Sequence, residues 1–213
     1  MEVDKYFGSR FKFDNDRVKV WKAISEYLQK FIEKESYSVL DIGCGYGDFI
    51  NLIKAKAKFA IDLNPSSIDF IDIESITFYA QSVLEEFKVE NNSMDIIFAS
   101  NLFEHFDDFQ LNILIKNVKQ KLKNGGKLIL IQPNIRYAYK EYWDDYTHKK
   151  AFSDLSLADF LEGEGFRIIE VQKKFIPFSL KSRLPKSYLL TKCYLFSPFK
   201  PFAKQMLLVA EKK

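Results

Sequence analysis

Between Asp41 and Asp48 the chain reads Asp-Ile-Gly-Cys-Gly-Tyr-Gly-Asp, an acid followed by glycines at alternate positions. Without a Cβ, Gly43, Gly45 and Gly47 let the backbone turn sharply and let a ligand reach main-chain N–H groups. Asp41 adds a fixed acceptor facing the same crevice, and Cys44 lies inside the turn. About twenty residues later Asp62 ends the apolar run Phe59-Ala60-Ile61 and precedes Leu63-Asn64-Pro65. A carboxylate there can take both hydroxyls of a ribose, or cap the turn before Pro65. A second concentration of reactive groups is Tyr142-Trp143-Asp144-Asp145-Tyr146-Thr147-His148. An ordinary histidine, with a pKa of about 6.5, is mostly neutral near pH 7 and can accept a proton. His148 is therefore the first candidate base and His105 the second. Asp144 and Asp145 are candidates to orient an imidazole.

These groups need elements to hold them. Val39-Leu40-Asp41-Ile42 has the apolar character of a buried strand feeding the glycine turn, and Asp48–Ile53 begins a helical pattern. Residues 59–63, 76–81, 94–101 and 127–134 read as four further strands. Between the last two, Leu111, Leu114, Ile115, Val118 and Leu122 mark one helix face, and Asn124-Gly125-Gly126 stops it. An amphipathic helix carrying Val20, Trp21, Ile24, Tyr27, Leu28, Phe31 and Ile32 precedes the first strand. Leu155, Leu157, Phe160 and Leu161 suggest a short helix closed by Gly163 and Gly165. Residues 166–171 and 206–210 are a sixth and a seventh strand. Strands alternating with helices point to an α/β fold whose parallel sheet is covered on both faces. In such a sheet, loops at the strands' carboxyl ends open onto the ligand crevice.

The acid and glycine spacing discriminates between ligands. A dinucleotide site wants Gly-x-Gly-x-x-Gly, but the third position counted from Gly43 is Asp48, whose charge would repel a pyrophosphate. Asp-x-Gly-x-Gly-x-Gly resembles the first motif of class I S-adenosylmethionine (SAM)-dependent methyltransferases. Leu102-Phe103-Glu104-His105-Phe106 resembles the Glu-His signature after the fourth strand of many small-molecule members. The helix–Gly–Gly–strand–Pro133–Asn134 order is a further likeness. The resemblance implies a Rossmann-like, seven-stranded, mostly parallel sheet with the last strand antiparallel, and SAM as cofactor. It places Asp41, Gly43, Cys44, Gly45, Gly47, Asp62, Leu63, Ser82, Val83 and Asn101 around SAM, with Asp62 on the ribose. Ser82 stands where the family often has an Asp for adenine. It also puts His105 near the methyl end, and so implies His148, His105 and Asp145 as the candidate catalytic set.

Asn134-Ile135-Arg136-Tyr137, Tyr142-Trp143-Asp144 and His148 resemble an uncharacterised bacterial subgroup associated with cell-surface polysaccharide synthesis. Members tend to have Asp immediately before the His, and here that residue is Thr147, so no Asp–His pair carries over. Residues 135–152 then form an acceptor-side loop in a single domain spanning 1–213. Tyr142, Trp143 and Tyr146 can stack on a sugar or close over the cofactor.

Some thirty residues separate the last two strands, far more than a hairpin needs. Between Ser179 and Gln205 every charged residue is basic: Lys181, Arg183, Lys186, Lys192, Lys200 and Lys204. This aromatic-rich 179–205 insertion can cover the acceptor, hold a phosphate-bearing carrier, touch an anionic membrane surface peripherally, or pack on the core with a solvated basic face. At 213 residues and a net charge of +3 the chain gives no case for a nucleic-acid footprint. Met1–Lys5 has no signal-peptide core, and a cytoplasmic protein is expected. Cys44 and Cys193 suggest neither a disulfide framework nor zinc, and no metal cluster has recognisable ligand spacing. Three functions stay open: methylation of a sugar or other small-molecule hydroxyl, methylation of a phenol or carboxylate, and SAM binding without turnover.

Overall fold

A computed structural model describes residues 15–177 and 186–213. Lys181, Arg183 and the first residues of the chain lie outside the described residues, as does Phe178. Seven strands form one sheet: β1 (Ser38–Ile42), β2 (Ala57–Asp62), β3 (Thr77–Ala80), β4 (Met94–Ser100), β5 (Leu122–Pro133), β6 (Phe166–Pro177) and β7 (Ala203–Lys212). Their order is β3-β2-β1-β4-β5-β7-β6, with β7 antiparallel to both its neighbours and the other pairs parallel. The order reverses between β1 and β4, and a crevice at that switch point is where open α/β sheets bind ligands.

Side-chain alternation along the strands divides the apolar core in two. Leu40, Ile42, Ile97, Ala99, Leu128 and Leu130 join one buried cluster, while Val39, Ile96, Phe98, Ile129 and Ile131 join the other. Helices α1 (Asn15–Leu28), α2 (Asp108–Lys121), α3 (Ile135–Ala138), α4 (Asp154–Gly163) and α5 (Tyr188–Phe196) accompany the sheet. The first cluster takes Leu111, Leu114, Ile115 and Val118 from α2 with Leu157 and Leu161 from α4; the second takes Trp21, Ile24 and Leu28 from α1. Helix α2 starts on a capping box, Asp107 accepting from Gln110 N–H while the Gln110 side chain bonds back to Asp107 N–H.

Several expected boundaries move. Residues 48–52 form consecutive turns rather than a regular helix, because Gly47 and its neighbours bend the backbone; Asn51 N–H to Gly47 O and Ile53 N–H to Phe49 O are the bonds that hold them. Helix α2 stops at Lys121, before Asn124-Gly125-Gly126. Leu122 is already extended, and Gly125, at φ +76°, bends the start of β5 instead of capping the helix. β6 and β7 run 12 and 10 residues, longer than the apolar runs suggest, because mutual pairing continues past them into polar positions. Among the described residues no helix is long and apolar enough to cross a membrane.

Candidate active site

β1 ends at Ile42, and the N–H groups of Gly43 and Cys44 both donate to Ile61 O of β2, at 2.8 and 3.1 Å. The chain then turns with φ of +68°, +53° and +66° at Gly43, Gly45 and Gly47, values that side chains other than glycine's rarely tolerate. A Cβ on Gly45 would meet nothing within 4 Å, so its surface is an open cradle. Asp62 reaches back across this cradle, accepting from Gly45 N–H at 2.7 Å and from Asn64 N–H at 2.8 Å. The Ser67 side chain bonds it too, so of about four carboxylate acceptor sites one is left for a further donor. Gln81 N–H donates to Asp62 O, which brings the end of β3, with Ser82, beside β2.

The electrostatics of the cradle select the charge of its ligand. Burial pushes the Asp41 carboxyl well above its ordinary range, and the nearby Asp62 and Asp48 add to the rise. Burial raises Asp62 as well. Asp48 is also raised by burial, while Arg17 of α1, 2.5 Å from Asp48 Oδ2, opposes that rise. Asp62, bonded to Gly45 N–H, with Asp41 and Asp48 close by, gives the turn an acidic lining that favours a ligand both polar and cationic. SAM, with its sulfonium and its amino group, fits this crevice; a pyrophosphate would add charge of the same sign. Of the other residues implied for the cofactor, Cys44 is buried and its thiol pushed well above its usual pKa by burial, the mark of an inert cysteine. Leu63 is exposed and Val83 packs into the core. The Ser82 hydroxyl accepts Leu84 N–H, and Asn101, at φ +51°, accepts from Gln205 Nε2 at 2.7 Å.

The glycine turn touches the next part of the site. A Cβ on Gly43 would lie 3.0 Å from Leu102 Cδ1, and the 3₁₀ turn Phe103–His105 follows directly. Lys149 and Lys150 both donate backbone N–H to Glu104 O, at 2.8 and 3.1 Å, stitching the loop after α3 onto this turn. That brings His148 beside His105, ring centroids 5.0 Å apart. Each imidazole is fixed through Nδ1. His148 Nδ1 lies 2.6 Å from Tyr142 O, a carbonyl that can only accept, so this nitrogen carries the proton. Thr147 Oγ1 donates to Asp145 Oδ1 at 2.7 Å and lies 2.9 Å from His105 Nδ1. Its one proton goes to the carboxylate, so His105 Nδ1 is the donor in that second bond.

Asp145 thus reaches His105 through Thr147, while its backbone carbonyl accepts His148 N–H at 3.1 Å. Glu104 completes the group: it is 1 % exposed, and neither carboxylate oxygen has a hydrogen-bond partner. Burial lifts its pKa to about 8 and drops that of His105 to about 4, with the neighbouring His148 adding to the latter. A histidine so depressed is a weak proton acceptor, which favours His148 of the two. Tyr142 is buried, its hydroxyl bonded to Lys150 O, so it anchors the loop; Trp143 and Tyr146 are exposed.

Two buried polar side chains without hydrogen-bond partners were not singled out by sequence. Glu104 was visible only as part of the Glu-His signature, with no sign that its charge is buried unpaired. Gln132, near the carboxyl end of β5, is buried with neither amide atom bonded, and nothing but its place at a strand end marks it. In the 179–205 insertion, α5 packs on α1. Tyr188 and Lys192 bond Glu26, and Phe196 meets Tyr27 edge-on at 5.6 Å.

A family profile described as "Methyltransferase domain" matches residues 14–171. An uncharacterised protein of Methanocaldococcus jannaschii is 30 % identical over 151 residues, 70 % of this chain and 64 % of that protein. A malonyl-[acyl-carrier protein] O-methyltransferase of Calditerrivibrio nitroreducens is 32 % identical over 113 residues, 51 % of this chain and 45 % of that enzyme. A phosphoethanolamine N-methyltransferase of Triticum aestivum is 25 % identical over 76 % of this chain and 35 % of its own. The chain therefore spans about one third to two thirds of the length of these relatives. A SAM-dependent methyltransferase structure from Archaeoglobus fulgidus superposes with a TM-score of 0.70 at 22 % identity, covering 99 % of this chain and 100 % of that one.

Proposed function

The chain belongs to the class I SAM-dependent methyltransferase family, and we propose that it methylates an oxygen of a small molecule or sugar, in the building of a surface polysaccharide. The observation that supports this reading is the nearness of Gly43 in the acid-lined turn to Leu102, which precedes Glu104 and His105, with His148 beside them. SAM supplies an activated methyl group on a sulfonium. The residues need then only place an oxygen in line with it and take up its proton. Positioning of this kind contributes ~7–11 kcal/mol, and a base about 10²–10⁴-fold.

In this proposal Asp41, Gly43, Gly45, Gly47 and Asp62 hold the cofactor, with Cys44, Leu63, Ser82, Val83 and Asn101 around it. The polar cluster of His148, His105 and Asp145 receives the acceptor hydroxyl. Trp143 and Tyr146, exposed at the same loop, offer aromatic faces to a sugar ring. The polysaccharide assignment draws on the Asn134–Tyr137 and Tyr142–His148 resemblance. A lipid-linked or phosphate-bearing acceptor would lie against the groove of about 640 Å³ bordered by Lys173, Lys174, Phe199, Lys200 and Phe202. Flotation with anionic vesicles at low salt tests the membrane part, and absence of binding there removes it.

A carboxylate acceptor is the second reading, favoured by the relative named for O-methylation of malonyl-[acyl-carrier protein]. The experiment is transfer of labelled methyl from SAM to nucleotide sugars, lipid-linked glycans and acyl carboxylates, with Asp41→Ala as control. Label in a glycan supports the first reading and label in an acid the second. SAM binding without transfer to any class would make the chain a SAM-binding subunit.

A further inference from the structure

We infer that Glu104, His105 and His148 form a binding site for one divalent cation of the manganese or zinc class. One ligand atom from each residue lies within 4.8 Å of the other two. Tetrahedral ligands ~2.1 Å from a shared ion stand about 3.4 Å apart, so rotamer shifts of somewhat more than ~1 Å at the widest pair bring all three to bonding distance. The independent observation is Glu104. Its side chain is all but inaccessible, yet both oxygens lack a hydrogen-bond partner, a buried carboxyl that either a proton or a bound cation would satisfy.

The outer partners suit ligation too. Metal-bound histidines donate their other ring N–H to a carbonyl or carboxylate, which fixes tautomer and ring orientation. His148 Nδ1 does so to Tyr142 O, and His105 Nδ1 to Thr147 Oγ1, itself bonded to Asp145. Two imidazoles with one carboxylate suit a borderline ion, whereas magnesium and calcium take oxygen ligands.

Its use rests on the methyltransferase reading. An acceptor hydroxyl bound at the cation would lose its proton to water more readily. The resulting oxygen forms the new C–O bond as the C–S bond of the sulfonium breaks, that electron pair staying on sulfur. The two imidazoles then act as neutral ligands, and the cation takes over the part that His148 plays as base when no cation is bound.

The test is calorimetric titration of the chelator-stripped full chain with Mn²⁺ and Zn²⁺, without SAM or acceptor. One site per chain is expected. Glu104→Gln and, separately, His148→Ala should each weaken it by more than the ~10–100-fold that loss of an outer partner costs. SAM binding by each variant checks that it folds. No binding by the wild type at millimolar ion overturns the inference, and so does binding that survives both substitutions. Methyl transfer that persists in chelator would overturn the cation's catalytic use while leaving the methyltransferase reading intact. A cation site on a chain that transfers no methyl group would do the reverse.

Discussion

Thr147 Oγ1 stands 2.9 Å from His105 Nδ1, joining two residues 42 positions apart in the chain. The same hydroxyl donates to Asp145, so a carboxylate reaches an imidazole through one intervening side chain. Thr147→Val keeps the shape and deletes this link. Turnover should fall ~10–100-fold, the usual cost of losing an outer partner, while SAM affinity stays within twofold. Thr147→Ser should recover most of the activity. Equal activity in the valine variant would show that the link is structural.

Asp62 holds the cradle from the second strand. Asp62→Ala removes acceptors for Gly45 and Asn64 N–H as well as for the ribose. Hydrogen bonds to a charged group contribute ~1.5–3 kcal/mol, so SAM should bind about 10–100-fold more weakly. Calorimetry with SAM measures this. Asp62→Asn keeps one acceptor and should fall between wild type and alanine.

How much of this was legible beforehand depended on the range of the interaction. Asp41, the three glycines and Asp62 sit at the ends of two strands that are neighbours in both sequence and space, so spacing along the chain was enough to bring them together. The alternation of apolar runs and helices pointed to the parallel α/β sheet, whereas the strand order is seen only in the structure. The cluster of Glu104, His105 and His148 did not follow, because it depends on Lys149 and Lys150 folding back onto Glu104 O. No periodicity encodes that tertiary hydrogen bonding. Nor could the sequence foretell that Thr147, standing where a paired Asp was looked for, would hand Asp145 to the other histidine. The turns at 48–52 and the early end of α2 differ from expectation for a local reason. Left-handed glycines near these segments serve bends rather than helix caps.

The glycines themselves separate folding from binding. At Gly47 a Cβ would meet Ile71 Cδ1 at 2.6 Å and Asn51 Nδ2 at 2.7 Å, on top of a left-handed backbone. Gly47→Ala should therefore cost more than the ~1–2 kcal/mol of the backbone alone and lower Tm visibly. Gly45→Ala bears a similar backbone cost but has open space, so its larger effect should be on SAM affinity. Thermal melts and SAM titrations of the pair check the contrast; an identical Tm loss in both would refute it.

Asp41 links the cofactor cradle to stability through pH. In the unfolded chain its carboxyl titrates near ~3.9, while in the folded protein burial holds it well above that. Between these two values the folded state keeps a proton that the unfolded state has released. Stability therefore falls as pH rises through that window, and below the unfolded value Asp41 makes no difference. Asp41→Asn removes the burden of a buried charge. The ligand-free variant should melt higher than wild type at pH 8, with the difference shrinking toward pH 5. Other titrating groups are common to both proteins, so the difference isolates Asp41. Saturating SAM should raise the melting temperature of the wild type much more than that of the variant, since the cation it brings is what the carboxylate compensates. A Tm difference that stays constant from pH 5 to pH 8 would show that Asp41 carries no such charge, and the acidic cradle would lose its central residue.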